Sequence, residues 1–376
     1  MLHHWFRAFA PACLIALAAI ASPAVTSPAA AKPVVEVAFV LDTTGSMSRL
    51  IEGAKRKIWS IATAIVEANA DAEIRMGLVA YRDIGDEYVT RTFELTADIQ
   101  DLYAKLLQLE ARGGGDWPES VNEALQAGVE KLNWSSGPDT WRILFLVGDA
   151  PPHMDYAQDT KYPGVITTAR KKDIIVNAVQ AGGARDTERV WREIAQLGEG
   201  RYIAIPQDGG EIVVIETPYD DGIIELQKRI NGTVLPYGPR AKKARVEEKQ
   251  RQVAVAPASS ATELASYLNK RIRTAGYAEA VTGDGDLVAD VTAGRKALDA
   301  VPESDLPDTL RGMPAKERRA EIERRLAERK TLNERMAELV RKRDHHIREK
   351  HAARPAPASD SFDRVVAETL KAQINR

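Results

Sequence analysis

The sequence predicts an α/β protein in which a mainly parallel sheet carries helices on both faces and is followed by an α-helical extension with one long charged helix. Three observations predict it. Apolar strands alternate with helical patterns of 10 to 20 residues from about residue 34 to residue 230, the rhythm that right-handed crossovers impose on a parallel sheet. The run Val34-Val35-Glu36-Val37-Ala38-Phe39-Val40-Leu41 is apolar and β-branched, as a strand buried on both faces requires. From residue 236 onward the chain turns charged, and Pro314 opens a helical stretch reaching about His351.

The first residues read as a targeting segment. His3, His4 and Arg7 precede the apolar run Leu14 to Ala21, and Ala29-Ala30-Ala31 offers a small-residue cleavage site before Lys32. The apolar run is far shorter than the ~20 residues a membrane span needs. Residues 1–31 are therefore expected to be a cleaved signal peptide, and the mature protein to be periplasmic or secreted with no membrane span. The single cysteine among 376 residues, Cys13, lies inside that segment. An exported chain without disulfides must rest on an ordinary hydrophobic core, for which this length is ample. The formal charge of −2 argues against nucleic acid as a general partner.

Each later element follows from its pattern. Ile51, Ala54, Ile58, Ile61, Ala62 and Ile65 recur at helical spacing and give one apolar face to a helix starting near Arg49. Ile74 to Tyr81 and Val89 to Leu95 read as strands, the second at an edge. A helix from about Asp98 to Leu109 leads to the loop Gly113-Gly114-Gly115-Asp116-Trp117-Pro118-Glu119 and a helix through Leu132. Ile143 to Val147 is a strand ending in Gly148-Asp149-Ala150-Pro151-Pro152-His153. A helix near Thr167 to Lys172, strand Ile174 to Val179, helix Thr187 to Leu197, strand Tyr202 to Ile205 and helix Asp220 to Ile230 complete the expected domain, 32–235.

Residues 236–260, with Arg240 to Gln252 densely charged, are expected to be a linker, and 261–376 a helical region. Thr262 to Thr274 and Phe362 to Ile374 read as short helices. On the long helix Ile322, Leu326, Leu332, Met336, Leu339, Val340 and Ile347 form an imperfect stripe. It can pair with a copy of itself as a coiled coil, but the broken heptad favours docking on its own chain. Asp284, Asp286 and Asp290 fail the 12-residue calcium-loop pattern at three positions.

The first strand delivers Asp42-Thr43-Thr44-Gly45-Ser46-Met47-Ser48 to the sheet's carboxyl edge, where open α/β sheets bind ligands. Asp42, Thr44 and Ser46 at alternate positions can converge on one hard cation, and oxygen donors without sulfur or imidazole suit Mg²⁺. Asp116 and Asp149 lie on loops reached from the same edge. Each residue also has a plain structural explanation. Ser46 or Ser48 can cap the first helix, Asp116-Trp117-Pro118-Glu119 matches a capping box, and Asp149 can fix a turn.

These loops together resemble the von Willebrand factor A domain with its metal-ion-dependent adhesion site, over roughly Lys32 to Val234. The resemblance implies Mg²⁺, or Mn²⁺ or Ca²⁺ in its place, held by Asp42, Thr44 and Ser46 from the first loop, a second-loop residue, and Asp149 from the third, with a partner protein's carboxylate completing the shell. The usual second-loop threonine is replaced by Asp116 within Gly-Gly-Gly-Asp-Trp-Pro-Glu. That loop, with Tyr81-Arg82-Asp83 and the Gly148 to His153 segment, resembles a subgroup that includes A domains fused to atypical kinases. No Gly-x-Gly-x-x-G phosphate cradle follows here, so kinase activity is not expected. Ser48 and Asp83 are candidates for an outer shell. The expected function is a non-enzymatic, exported, cation-dependent protein-binding module. Two alternatives stand beside it. One is a metal-dependent phosphohydrolase using Asp42, although Thr44 occupies the position of the required second carboxylate. The other is a scaffold with a vestigial site that acts through its C-terminal helices.

Overall fold

The computed structural model describes residues 32–69, 71–210, 215–275, 283–352 and 361–375. The expected signal peptide, 1–31, lies outside the described residues. Six strands form one sheet: β1 (Val34–Asp42), β2 (Glu73–Tyr81), β3 (Thr90–Thr96), β4 (Thr140–Gly148), β5 (Ile174–Ala181) and β6 (Glu199–Ile205). Their order is β3-β2-β1-β4-β5-β6, parallel throughout except for the antiparallel edge strand β3. The chain builds outward from β1 in one direction and then returns to its other side at β4. The crevice between the carboxyl ends of β1 and β4 is thus the switch point where such sheets bind ligands, and Asp42 and Asp149 lie there.

Strand alternation divides the core in two. Val35, Val37, Phe39 and Leu41 face α1 (Ser48–Ala68) and α2 (Ile99–Leu107). Ala38 and Val40 face α3 (Val121–Gln126), α4 (Tyr162–Lys171) and α5 (Arg185–Leu197). Five residues of π-helix, Ala127–Lys131, continue α3. There a methyl on Gly128 would stand 2.7 Å from Val40, so glycine permits the close approach to the sheet. Glu36 sits wholly buried among these apolar neighbours. It is satisfied by Arg75 at 2.5 Å and by the Ser135 amide and hydroxyl at 2.9 and 2.6 Å, as a buried charge must be.

The C-terminal region folds onto the sheet domain, and Lys32–Arg376 forms one compact unit. After α6 (Asp220–Gly232), the stretch 236–260, expected as a linker, carries α7 (Arg240–Val255), whose Lys249 pairs with Asp98 ahead of α2. Only Val246 and Lys249 are buried on α7, so apolar periodicity could not announce it. Next, α8 (Ala258–Ala275) places Tyr267 against Trp59 of α1, ring centroids 5.5 Å apart. Short α9 (Leu287–Thr292) precedes the long α10 (Ala315–Ala352), and α11 (Phe362–Ile374) closes the chain. Leu332, Met336 and Val340 of α10 pack on Ile223, Leu226 and Ile230 of α6, so the long helix docks in cis. Asp286 caps α9 and accepts from Arg329 of α10 at 2.7 Å, while Asp284 pairs with Lys242 and Asp290 with Arg295.

Candidate functional site

The end of β1 builds the first part of the site. Asp42 is fully buried, and its Oδ1 accepts from the Thr44 amide at 2.8 Å and the Thr44 hydroxyl at 2.7 Å. Thr44 Oγ1 lies 3.3 Å from Ser46 Oγ. No side-chain bond caps the 3₁₀ turn Gly45–Met47 or α1, so these hydroxyls are not spent as helix caps. Ser48, also expected nearby, is exposed in the first turn of α1.

Loop two is fastened to loop one through the backbone. The Arg112 amide donates to Thr43 O and the Gly45 amide to Gly113 O. Gly113 and Gly114 have φ of +80° and +84°, a conformation that glycine adopts without strain. A methyl on Gly114 would stand 3.3 Å from both Glu119 Oε1 and Thr44 Cβ, so the Glu119 carboxyl lies beside the first loop.

Glu119 reaches that position because the expected capping box does not form. Helix α3 starts later, with Ser120 at its N-cap. Glu119 bridges to Pro152 instead: its amide donates to Pro151 O, and its carbonyl accepts from the His153 amide. Its side chain is turned inward, 4% of the residue exposed.

Asp149, following β4, accepts from Gln207 Nε2 at 2.6 Å through Oδ2, while its carbonyl accepts from the Thr187 hydroxyl at 2.9 Å. A methyl on Gly148 would lie 2.4 Å from the Tyr81 hydroxyl and 3.4 Å from Asp42 Oδ2. Glycine there lets strands β2, β1 and β4 bring these oxygens together.

The electrostatics suit a positive charge at this place. Burial and then the neighbouring Asp149 push the Asp42 carboxyl up to about 7, against the opposing bonds from Thr44. Burial, followed by the charges of Asp42, Asp83, Asp86 and Asp149, pushes Glu119 up to about 9. The Tyr81 hydroxyl is raised by burial and by Asp42, Glu119 and Asp149. Among the described residues, Asp42 Oδ2, Glu119 Oε2 and Tyr81 Oη are all buried without a hydrogen-bond partner. Orphaned buried oxygens each cost roughly 1–3 kcal/mol, and adjacent carboxylates cannot all ionise without a compensating charge. A hard divalent cation is the species that an all-oxygen set of this kind fits.

The expected residues thus divide. Asp42, Thr44, Ser46 and Asp149 gather at one place, and the second-loop carboxylate beside them is Glu119. Asp116, with 61% of its side chain exposed, stands instead with Asp83 and His153. The Glu119 contact joins residues more than 30 positions apart, so no local pattern announced it.

The von Willebrand factor A domain family model matches residues 36–216. An alpha-protein kinase, vwkA, of Dictyostelium discoideum is 28% identical over 134 residues, which is 35% of this chain and 21% of that protein. An ariadne-like RING finger protein, R811, of Acanthamoeba polyphaga mimivirus is 30% identical over 120 residues, 32% of this chain and 11% of that protein. The chain therefore spans a small part of these relatives' length. Among solved structures, the SpRpn10 VWA domain aligns at 12% identity and TM-score 0.36 over 47% of this chain and 89% of its own. The BatB protein of Bacteroides thetaiotaomicron aligns at 17% identity and TM-score 0.34 over 46% and 89%.

Proposed function

We propose, from the match of residues 36–216 to the von Willebrand factor A domain model, that this chain binds a divalent cation at the Asp42 crevice and recognises another protein at the loops around it. Asp42, Thr44, Ser46 and Asp149 would hold Mg²⁺ or Mn²⁺, and Glu119, rather than Asp116, would be the second-loop group. The observation that carries this reading is that Asp42, Glu119 and Tyr81, close together at the carboxyl edge of the sheet, each bury an oxygen with no hydrogen-bond partner among the described residues. The ion's contribution would be to neutralise carboxylates that repel one another without it.

Three carboxylates against two positive charges leave the filled site with a net negative charge. Its pull on an acidic partner group would be weak, and recognition would fall to the surrounding loops. Ile84, Trp117 and Met154, about half exposed, stand on the three segments that follow β2, precede α3 and follow β4. Exposed tryptophan and methionine on loops of one sheet edge are characteristic of protein-binding surfaces.

Export fits the tripartite pattern of residues 1–31. Among the described residues no helix is long and apolar enough to cross a membrane. Affinity capture from an extract of the producing cell, with Mg²⁺ or with chelator, tests the binding role. A partner retained by the wild type in both conditions, and equally by Asp42→Ala, would separate recognition from the cation.

A further inference from the structure

A second cluster lies at the same sheet edge and shares no side chain with the Asp42 pocket. Asp83 follows β2, Asp116 stands on loop two and His153 on the loop after β4. His153 Nε2 is 3.5 Å from Asp83 Oδ2 and 3.6 Å from Asp116 Oδ2, and one ligand atom from each residue lies within 4.8 Å of the others. These separations are too long for hydrogen bonds. Among the described residues Nε2 has no hydrogen-bond partner, although only 6% of His153 is exposed.

The groups are held in place from behind. His153 Nδ1 lies 2.8 Å from Asp155 Oδ1, and the ring stacks on Tyr156 with centroids 3.9 Å apart and planes at 9°. The His153 carbonyl accepts from Asn122 Nδ2 at 2.7 Å. Asp83 accepts from Ser120 Oγ at 2.7 Å through Oδ1 and from the Tyr156 hydroxyl at 2.8 Å through Oδ2. A carboxylate can accept from a neutral imidazole only at an N–H. Asp155 therefore engages Nδ1, and Nε2 is the ring nitrogen that faces the two aspartates.

We propose that Asp83, Asp116 and His153 form a second cation site, distinct from the Asp42 crevice, that takes a transition-metal ion of the Zn²⁺ type through one imidazole nitrogen and two carboxylate oxygens. Metal–ligand bonds of about 2.1 Å in a tetrahedron separate neighbouring donors by roughly 3.4 Å, close to the two spacings observed. The imidazole selects against Mg²⁺ and Ca²⁺, which prefer all-oxygen shells. Asp155 plays the orienting role that an outer carboxylate gives a metal-bound histidine. Asp116 is the exposed member, so the ion would enter from its side and keep a position open there for water or a donor from another molecule. This inference does not depend on a cation at Asp42.

The test is calorimetric titration of the chelator-treated chain with Zn²⁺, comparing wild type with Asp42→Ala, His153→Asn and Asp116→Asn. The expected result is a site retained in Asp42→Ala and weakened at least about tenfold by His153→Asn and by Asp116→Asn, with Asp155→Asn losing about tenfold as orienting groups do. Asp116 is exposed, so its variant is expected to fold even if His153→Asn does not. Pulsed electron paramagnetic resonance of the Cu²⁺-loaded chain would show nitrogen coupling that His153→Asn removes. Zn²⁺ affinity unchanged in Asp116→Asn, absent from the wild type, or abolished by Asp42→Ala would overturn the proposal.

Discussion

Phe362, in the first turn of α11, meets Phe39 in the middle of β1 edge-on, with ring centroids 6.2 Å apart and planes at 61°. The last helix of the chain therefore contributes to the same core as its first strand, and Phe39 stacks in turn on Phe145 of β4 at 5.5 Å. Phe362→Ala is expected to cost about 3–5 kcal/mol, as for other buried aromatic truncations. Urea unfolding of the variant checks this, and a loss under about 1 kcal/mol would mean that α11 is an appendage.

A second dependence ties α10 to the body. Arg329 is 1% exposed and donates to Asp286 at 2.7 Å, to Thr233 Oγ1 at 2.8 Å and to Thr233 O at 3.1 Å. Asp286→Ala strands that guanidinium and should cost about 3–5 kcal/mol. Adding Arg329→Met should recover much of the loss, because the penalty belongs to the unpaired charge. A thermal-unfolding double-mutant cycle measures it, and additive losses would contradict the pairing.

Glu119 and Asp116 are predicted to part company in Mg²⁺ binding. Glu119→Gln keeps the side chain's volume but removes a carboxylate from the Asp42 pocket, so Mg²⁺ affinity should fall about tenfold or more. Asp116→Asn should leave it within about twofold. Equilibrium dialysis separates these outcomes, and the reverse ranking would return the second-loop role to Asp116.

Glu67 supplies a pH dependence away from the site. Burial pushes its carboxyl up, but Lys270 of α8 at 2.7 Å and Lys371 of α11 at 3.1 Å outweigh that and hold it below its ordinary 4.5. A depressed folded-state value means stability that is present above the unfolded-state value and lost as pH falls through the folded one. Wild type should exceed Glu67→Gln at pH 7, by no more than about 1 kcal/mol because the group is 44% exposed. The gap should narrow below about pH 4. Urea midpoints at the two pH values check the sign.

The sheet domain was legible wherever a burial pattern is local. The apolar run ending at Asp42, the periodic face of α1 and the edge position of β3 follow from spacing alone. Glu119 was not legible, because Asp116-Trp117-Pro118-Glu119 satisfies a capping box on paper. What excludes the box is a backbone bond to Pro151, which no local window contains. His153 escaped for the same reason: its neighbours Asp83 and Asp116 meet it only through the sheet's topology. Helix α7 hid behind its charge, since its contacts to the body include Val246, the Lys249–Asp98 pair and the Gln250 bond to Asn231 rather than an apolar stripe.

The proposed binding of a cation at the end of β1 can be tested without knowing any partner. Calorimetric titration of Mg²⁺ into the chelator-treated chain should give saturable heat from the wild type and none from Asp42→Ala. Equal heats from both proteins, or no heat from the wild type, would contradict the account.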